Sequence, residues 1–218
     1  MSRPFFSVVV PSYLGDYSGN YGRSAGERLF KFRRALQSVR AQTETDWELI
    51  VVADGCEQTM GMAEEYVGWE NPVWFYGIEK QRLWSECVRN FGIHKARGWF
   101  IVYLDTDDVW GDEHLSLIRG GLEAAGYPLW AIMDDQLWNT GLNRWETQHA
   151  RLDNPKSMGT SNLVHQRGIY WPKIVYRHPS MGYDQDRQFV RYLKQLDGGQ
   201  HIGSCQYRVC HIPGQYDI

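Results

Sequence analysis

Three carboxylates fall within four positions in IVYLDTDDVW, residues 101–110: Asp105, Asp107 and Asp108 follow directly on an apolar run. Crowded carboxylates raise each other's pKa unless a cation relieves them. Hard divalent cations prefer oxygen ligands, and Mg²⁺ typically combines one or two carboxylates with substrate phosphates. The pattern therefore points to a metal held by Asp107 with Asp105 or Asp108, its open positions facing a diphosphate. The plainer alternative is a solvated loop in which Asp107 or Asp108 caps a helix starting near Gly111. Other chemistries lack their signatures: there is no GxGxxG, no GxxxxGK[ST] and no HExxH.

A site of this kind needs rigid elements to aim it. Residues 99–104, WFIVYL, read as a buried strand delivering Asp105. Similar runs occur at 5–10 (FFSVVV, stopping at Pro11), 47–55 (WELIVVADG), 73–78 (VWFYGI) and 129–134 (LWAIMD), with 160–165 a further candidate. Between them, Leu29, Phe32, Leu36 and Val39 recur at helical spacing, as do Leu83, Cys87 and Phe91, and Leu115, Ile118 and Leu122. Helices are also expected over 60–67 and 184–196. The Gly-, Ser- and Tyr-rich stretch 14–26 is longer than a simple connection requires and is expected to close over a ligand. Strand–helix alternation predicts an α/β fold, a mostly parallel central sheet flanked by helices. Ligands bind such a sheet outside the carboxyl ends of its strands. Pro11, Ser12 and Tyr13, then Asp54, then the acidic cluster would all fall on that one rim.

The chain's 218 residues suit a single domain. A net charge of −3 gives no broad pull toward nucleic acid or anionic membrane. The cysteines, Cys56, Cys87, Cys205 and Cys210, form no CxxC pair and read as free thiols of a reducing compartment. No apolar run approaches the roughly 20 residues of a membrane helix, and no signal segment opens the chain, so a soluble cytoplasmic protein is expected. Ten tryptophans are many for this length. Trp130, Trp138, Trp145 and Trp171 either stack on a sugar face or fill the core.

The blocks VVVPSY (8–13), ALQSVRAQTETDWELIVVADG (35–55) and VRNFGIHKARGWFIVYLDTDD (88–108), in this order and spacing, resemble the GT-A fold glycosyltransferases of the family-two kind. GYDQDRQFVRYL (182–193) extends the resemblance. It implies a GT-A fold, with residues 1–110 as the nucleotide-sugar-binding half and 111–218 as the acceptor-binding half. It implies transfer from a nucleotide-diphosphate sugar, a UDP-sugar above all, to a hydroxyl-bearing acceptor such as a glycan or a lipid-linked molecule, with inversion. Pro11, Ser12 and Tyr13 would border the nucleoside, and Asp54 would contact the base, though Ala53 stands where the family often has a second acid. Arg89 and Asn90, with Val88 in place of the family's Ala, would sit near the nucleotide. Asp105 and Thr106 would lie against the donor. Asp105, Asp107 and Asp108 would supply the metal site for Mn²⁺ or Mg²⁺, with His211 as a further ligand. The base that deprotonates the acceptor would be Asp184 or Asp186, where Tyr183 replaces the family's usual Glu.

Two other readings use the same residues. LDTDDV has the DxDx[TV] form of haloacid-dehalogenase-like phosphohydrolases, in which Asp105 would be a nucleophile and Asp107 a general acid. That leaves the PSY, ADG and VRNFGI blocks unexplained. A GT-A-like module that binds sugar or nucleotide without turnover fits Ala53 and Tyr183, the two places where family acids are replaced.

Overall fold

The computed structural model describes residues 3–15, 25–81, 86–139, 141–154, 158–172 and 185–210. In chain order the elements are β1 (Phe6–Ser12), α1 (Ala25–Arg40), β2 (Trp47–Asp54), α2 (Glu57–Gly61), β3 (Val73–Ile78), α3 (Glu86–Lys95), β4 (Phe100–Tyr103), β5 (Val109–Trp110), α4 (His114–Ala124), β6 (Trp130–Asn139), β7 (Arg144–Gln148), β8 (Leu163–Gln166), α5 (Gln185–Leu193) and β9 (Gly199–Val209). Among the described residues the strands form one sheet in the order β3-β2-β1-β4-β8-β6-β9-β5, with β7 also paired to β6.

Strands β3, β2, β1 and β4 are mutually parallel. Their sequences explain this: β1, β2 and β4 are near-continuous Val, Ile and Leu runs, buried almost throughout, as parallel strands covered on both faces must be. Past β4 the sheet becomes mixed. Strand β8 runs antiparallel to both β4 and β6, so β6 points the same way as β4. Strand β9 is parallel to β6, while β7 and β5 pair antiparallel.

Each face carries its own core. Phe32, Leu36 and Val39 of α1 pack with Leu115, Ile118 and Leu122 of α4 on one side. Val88 and Ile93 of α3 pack with Phe189, Val190 and Leu193 of α5 on the other. Buried Glu48 ties the amino-terminal ends together, accepting hydrogen bonds from Ser7 Oγ (2.7 Å), the Arg97 amide (2.6 Å) and Arg97 Nε (2.9 Å). Gly92 lets α3 lie close on β1: a Cβ there would sit 2.5 Å from a Val9 methyl carbon.

Several expectations need correction. The helix over 60–67 is a short α2 followed by a separate 3₁₀ turn, Ala63–Tyr66. Residues 160–162 are likewise a 3₁₀ turn, and β8 follows them. Strands β5, β7 and β9 were not expected from the pattern. The four cysteines are free. No helix among the described residues is long and apolar enough to cross a membrane.

Candidate active site

The carboxyl ends of β1, β2, β3, β4 and β6 share one rim, and the candidate residues gather there in two groups. The first lies at β1–β3. Asp54, the last residue of β2, accepts from Lys80 Nζ at 2.8 Å and from the Gln81 amide at 2.6 Å. The Lys80 ammonium lies 3.5 Å from the centre of the Tyr13 ring, a cation–π contact. Gly55, at φ +59°, makes this possible, because a Cβ there would lie 2.5 Å from Lys80 Cβ and 2.7 Å from its backbone. Pro11 and Ser12 close β1, and the buried Ser12 hydroxyl shares a 3.0 Å hydrogen bond with Thr59. Lys80 was not foreseen. Applying the rim rule to the third strand, which ends two residues before it, finds it.

The second group surrounds the acidic loop. Buried Arg89, from α3, donates to Asp105 Oδ1 at 2.7 Å. Burial works against its charge, but the Asp105 and Asp186 carboxylates outweigh burial and raise its pKa. Arg89 thus links the loop electrostatically to Asp186, in the first turn of α5. The three aspartates differ. Asp108 is buried, and its two oxygens accept from the Tyr207 hydroxyl (2.9 Å) and the Cys210 amide (2.7 Å). Tyr207 also accepts from the Asp105 amide at 3.1 Å. Burial first, and then the two aspartates, push its pKa well above the ordinary tyrosine value, so it remains a donor. Asp105 and Asp107 are half-exposed beside Thr106, and the Asp107 carbonyl accepts from Arg34 Nη2 at 2.9 Å. The capping alternative is not seen: α4 begins at His114, with Glu113 at its N-cap and no side-chain cap bond.

Asn90 is a clip. Its amide donates to the Trp171 carbonyl at 3.0 Å and its oxygen accepts from the Trp171 amide at 2.8 Å. Trp171 in turn stacks on Phe189 of α5, with ring centres 4.2 Å apart. Trp130 and Trp171 are core residues, whereas Trp138 and Trp145 belong to neither core. Asp135, on β6, is a fourth acid at the rim, held by Ser161 Oγ at 2.8 Å. Burial, with help from Asp108, pushes it up to about 6. Asp184, His211 and residues 16–24 of the long loop lie outside the described residues.

No group of three or more His, Cys, Asp or Glu side chains among the described residues is arranged to hold a metal. The donor set is nonetheless hard oxygen, with Asp105 and Asp107 the more accessible pair. That fits a cation using two carboxylates and completed by phosphates.

The family model described as glycosyl transferase family 2 matches residues 31–179, well over half the chain and the part holding Asp54, Arg89 and the acidic loop. The chain belongs to that family. Curated relatives agree. EpsH of Bacillus subtilis, named as a glycosyltransferase, is 42% identical over 77 residues, covering 35% of this chain and 22% of EpsH. TuaG of the same organism, named for teichuronic acid biosynthesis, is 25% identical over 115 residues, covering 52% of this chain and 40% of TuaG. The chain therefore spans less than half the length of these relatives. Among solved structures, TarS of S. aureus in complex with UDP-GlcNAc superposes with a TM-score of 0.69 at 17% identity, covering 97% of this chain and 60% of that one. A mannosyltransferase from Pyrobaculum calidifontis, in complex with GDP-Man and Mn²⁺, gives 0.58 at 13% identity, covering 98% and 59%. At these identities the likeness is one of fold, and it agrees with the GT-A expectation.

Proposed function

We propose that this family 2 chain transfers a sugar, with inversion, from a nucleoside-diphosphate sugar to an acceptor hydroxyl, UDP-sugars being the favoured donors. One observation carries the reading: the Asp54–Lys80–Tyr13 group and the Arg89–Asp105 pair occupy one rim, spaced along the carboxyl ends of adjacent parallel strands. A base and a diphosphate need such separate stations. Tyr13 and Asp54 border the base, and Lys80 sets the charge there. Asp105 and Asp107 would hold Mn²⁺ or Mg²⁺, with Asp108 shaping the loop; the family resemblance adds His211 as a further ligand. The cation, when bound, supplies Lewis-acid stabilisation to the departing diphosphate. Arg89 donates to Asp105 and orients it, and its burial keeps the guanidinium fixed during reaction.

In the transfer, the acceptor oxygen bonds to the anomeric carbon, the bond from that carbon to the phosphate oxygen breaks, and the nucleoside diphosphate leaves. The acceptor proton passes to Asp184 or Asp186. Asp186, in the first turn of α5, stands in the field of Arg89. The solved complexes of TarS with UDP-GlcNAc and of the mannosyltransferase with GDP-Man and Mn²⁺ support a nucleotide-sugar donor and a cation. Free thiols fit a cytoplasmic setting. The test is UDP release from UDP-GlcNAc and other UDP-sugars with Mn²⁺, in the presence of acceptor mixtures. Loss of transfer on the order of 10²–10⁴-fold in Asp184→Asn or Asp186→Asn, with UDP affinity retained, is expected. Donor binding without turnover in the unaltered protein would instead support a binding module.

A further inference from the structure

Strand β6 continues beyond β8 to form, with β7, a hairpin on the side of the rim away from Asp54. Trp138 and Trp145 are direct cross-strand partners there, ring centres 5.3 Å apart at 72°. Both are half-exposed, and neither joins a core cluster. Trp74 and Trp99 also stand outside both cores, but only at the hairpin, among the described residues, do two such rings meet as a cross-strand pair. The Arg208 guanidinium lies 5.6 Å from the Trp145 ring, and its Nε donates to Gln136 at 3.4 Å. Side chains alternate along a strand, so Asp134, Gln136 and Trp138 share one face of β6. Asp134 there binds His149 (2.9 Å) and His201 (2.7 Å).

The place of this surface matters as much as its composition. Arg208 pairs in register with Val109, the residue after Asp108, and the Cys210 amide two residues on binds Asp108 itself. The aromatic surface is thus joined to the acidic loop through β9. Flat apolar rings flanked by planar polar groups suit a pyranose: ring faces cover its C–H groups, while guanidinium and amide meet its hydroxyls.

We propose that the β6–β7 hairpin with Arg208 is the acceptor subsite, and that it takes a glycan chain, one pyranose lying on Trp145. This rests on the glycosyltransferase reading above. The plainer role, a cross-strand pair that only steadies the hairpin, would contribute about 0.2–1 kcal/mol and no sugar affinity.

The experiment applies the protein, with UDP and Mn²⁺, to a printed panel of gluco-, galacto- and manno-configured oligosaccharides, beside Trp145→Leu and Arg208→Ala. Leucine keeps apolar packing against Trp138 but removes the flat ring. UDP affinity, measured calorimetrically on the same preparations, reports whether each variant is folded. Retention of at least one glycan, weakened tenfold or more in Trp145→Leu with UDP affinity within twofold of the unaltered protein, is expected. UDP binding with no glycan retained, or equal retention by Trp145→Leu, overturns the proposal. Glycan retention lost in Trp145→Leu without any UDP binding keeps the platform and removes the donor reading instead.

Discussion

Asp105, Asp107 and Asp108 are alike in type and adjacent in sequence, yet their surroundings give them different work. Asp108 is turned inward onto Tyr207 and the Cys210 amide, Asp105 is fixed by Arg89, and Asp107 stays at the surface of the turn. The sequence spacing announced a charged site but not this division, because the partners of Asp108 lie about a hundred residues away, on β9 and just past it, while that of Asp105 comes from α3. The same holds for Asp135, whose neighbours are Ser161 and, more distantly, Asp108. Its carboxyl is pushed up to about 6 by burial. Between the ordinary carboxylate range and pH 6 the folded protein therefore keeps a proton that the unfolded chain has released, and stability falls as pH rises through that window. Asp135→Asn removes this dependence while keeping an acceptor for Ser161. Relative to the unaltered protein, the variant is expected to gain on the order of 2–3 kcal/mol between pH 4 and pH 7, read from urea midpoints. Buried His114, pulled down to about 3, loses stability in the opposite direction, as pH falls below its ordinary range. It is common to both proteins and cancels in the difference. Equal pH profiles for the two proteins would show that Asp135 does not titrate in this way.

Elements with one strong period were legible: β1, β2 and β4 as continuous apolar runs, α1 and α4 as amphipathic repeats. Those held by partners were not. Strand β9, GQHIGSCQYRV, mixes glycine and polar residues because it is bulged against β6 and half-exposed over much of its length, so neither period shows. Tyr207 and Arg208 therefore carry no signal in the sequence pattern. Asn90 was legible as a block residue, but its clip to Trp171 depends on a contact across 81 positions. The seating of α3 on β1 decides where Arg89 stands, and Gly92 permits it. Gly92→Ala pushes a methyl into Val9 and is expected to cost about 1–3 kcal/mol, weakening UDP binding as Arg89 shifts. Gly120→Ala, on α4 with nothing within 4 Å of the added carbon, is expected to stabilise by about 0.5–1 kcal/mol and leave UDP affinity unchanged. Denaturant midpoints and calorimetry on the two variants check both signs.

For the whole molecule, one sheet serves two ends. Its parallel half fixes a rim where the Asp54 and Asp105 groups, the stations proposed for base and diphosphate, are spaced by strand separation, and its mixed half carries Asp135, the tryptophan hairpin and β9 round to the same rim. The alternation of strands and helices made the first half predictable, since parallel strands need covering helices on both faces. The second half mixes antiparallel and parallel pairings, and those of β8 with β4 and of β9 with β6 and β5 join distant segments, which no local pattern specifies. In the function proposed, a cation and a nucleoside diphosphate complete the acidic loop. Calorimetric titration of UDP into the protein, with Mn²⁺ and then with excess chelator, tests it most directly, beside Asp107→Ala. UDP binding that requires Mn²⁺ and is lost in Asp107→Ala is expected; UDP affinity unchanged by chelator and by that substitution would rule out a metal-completed acidic loop.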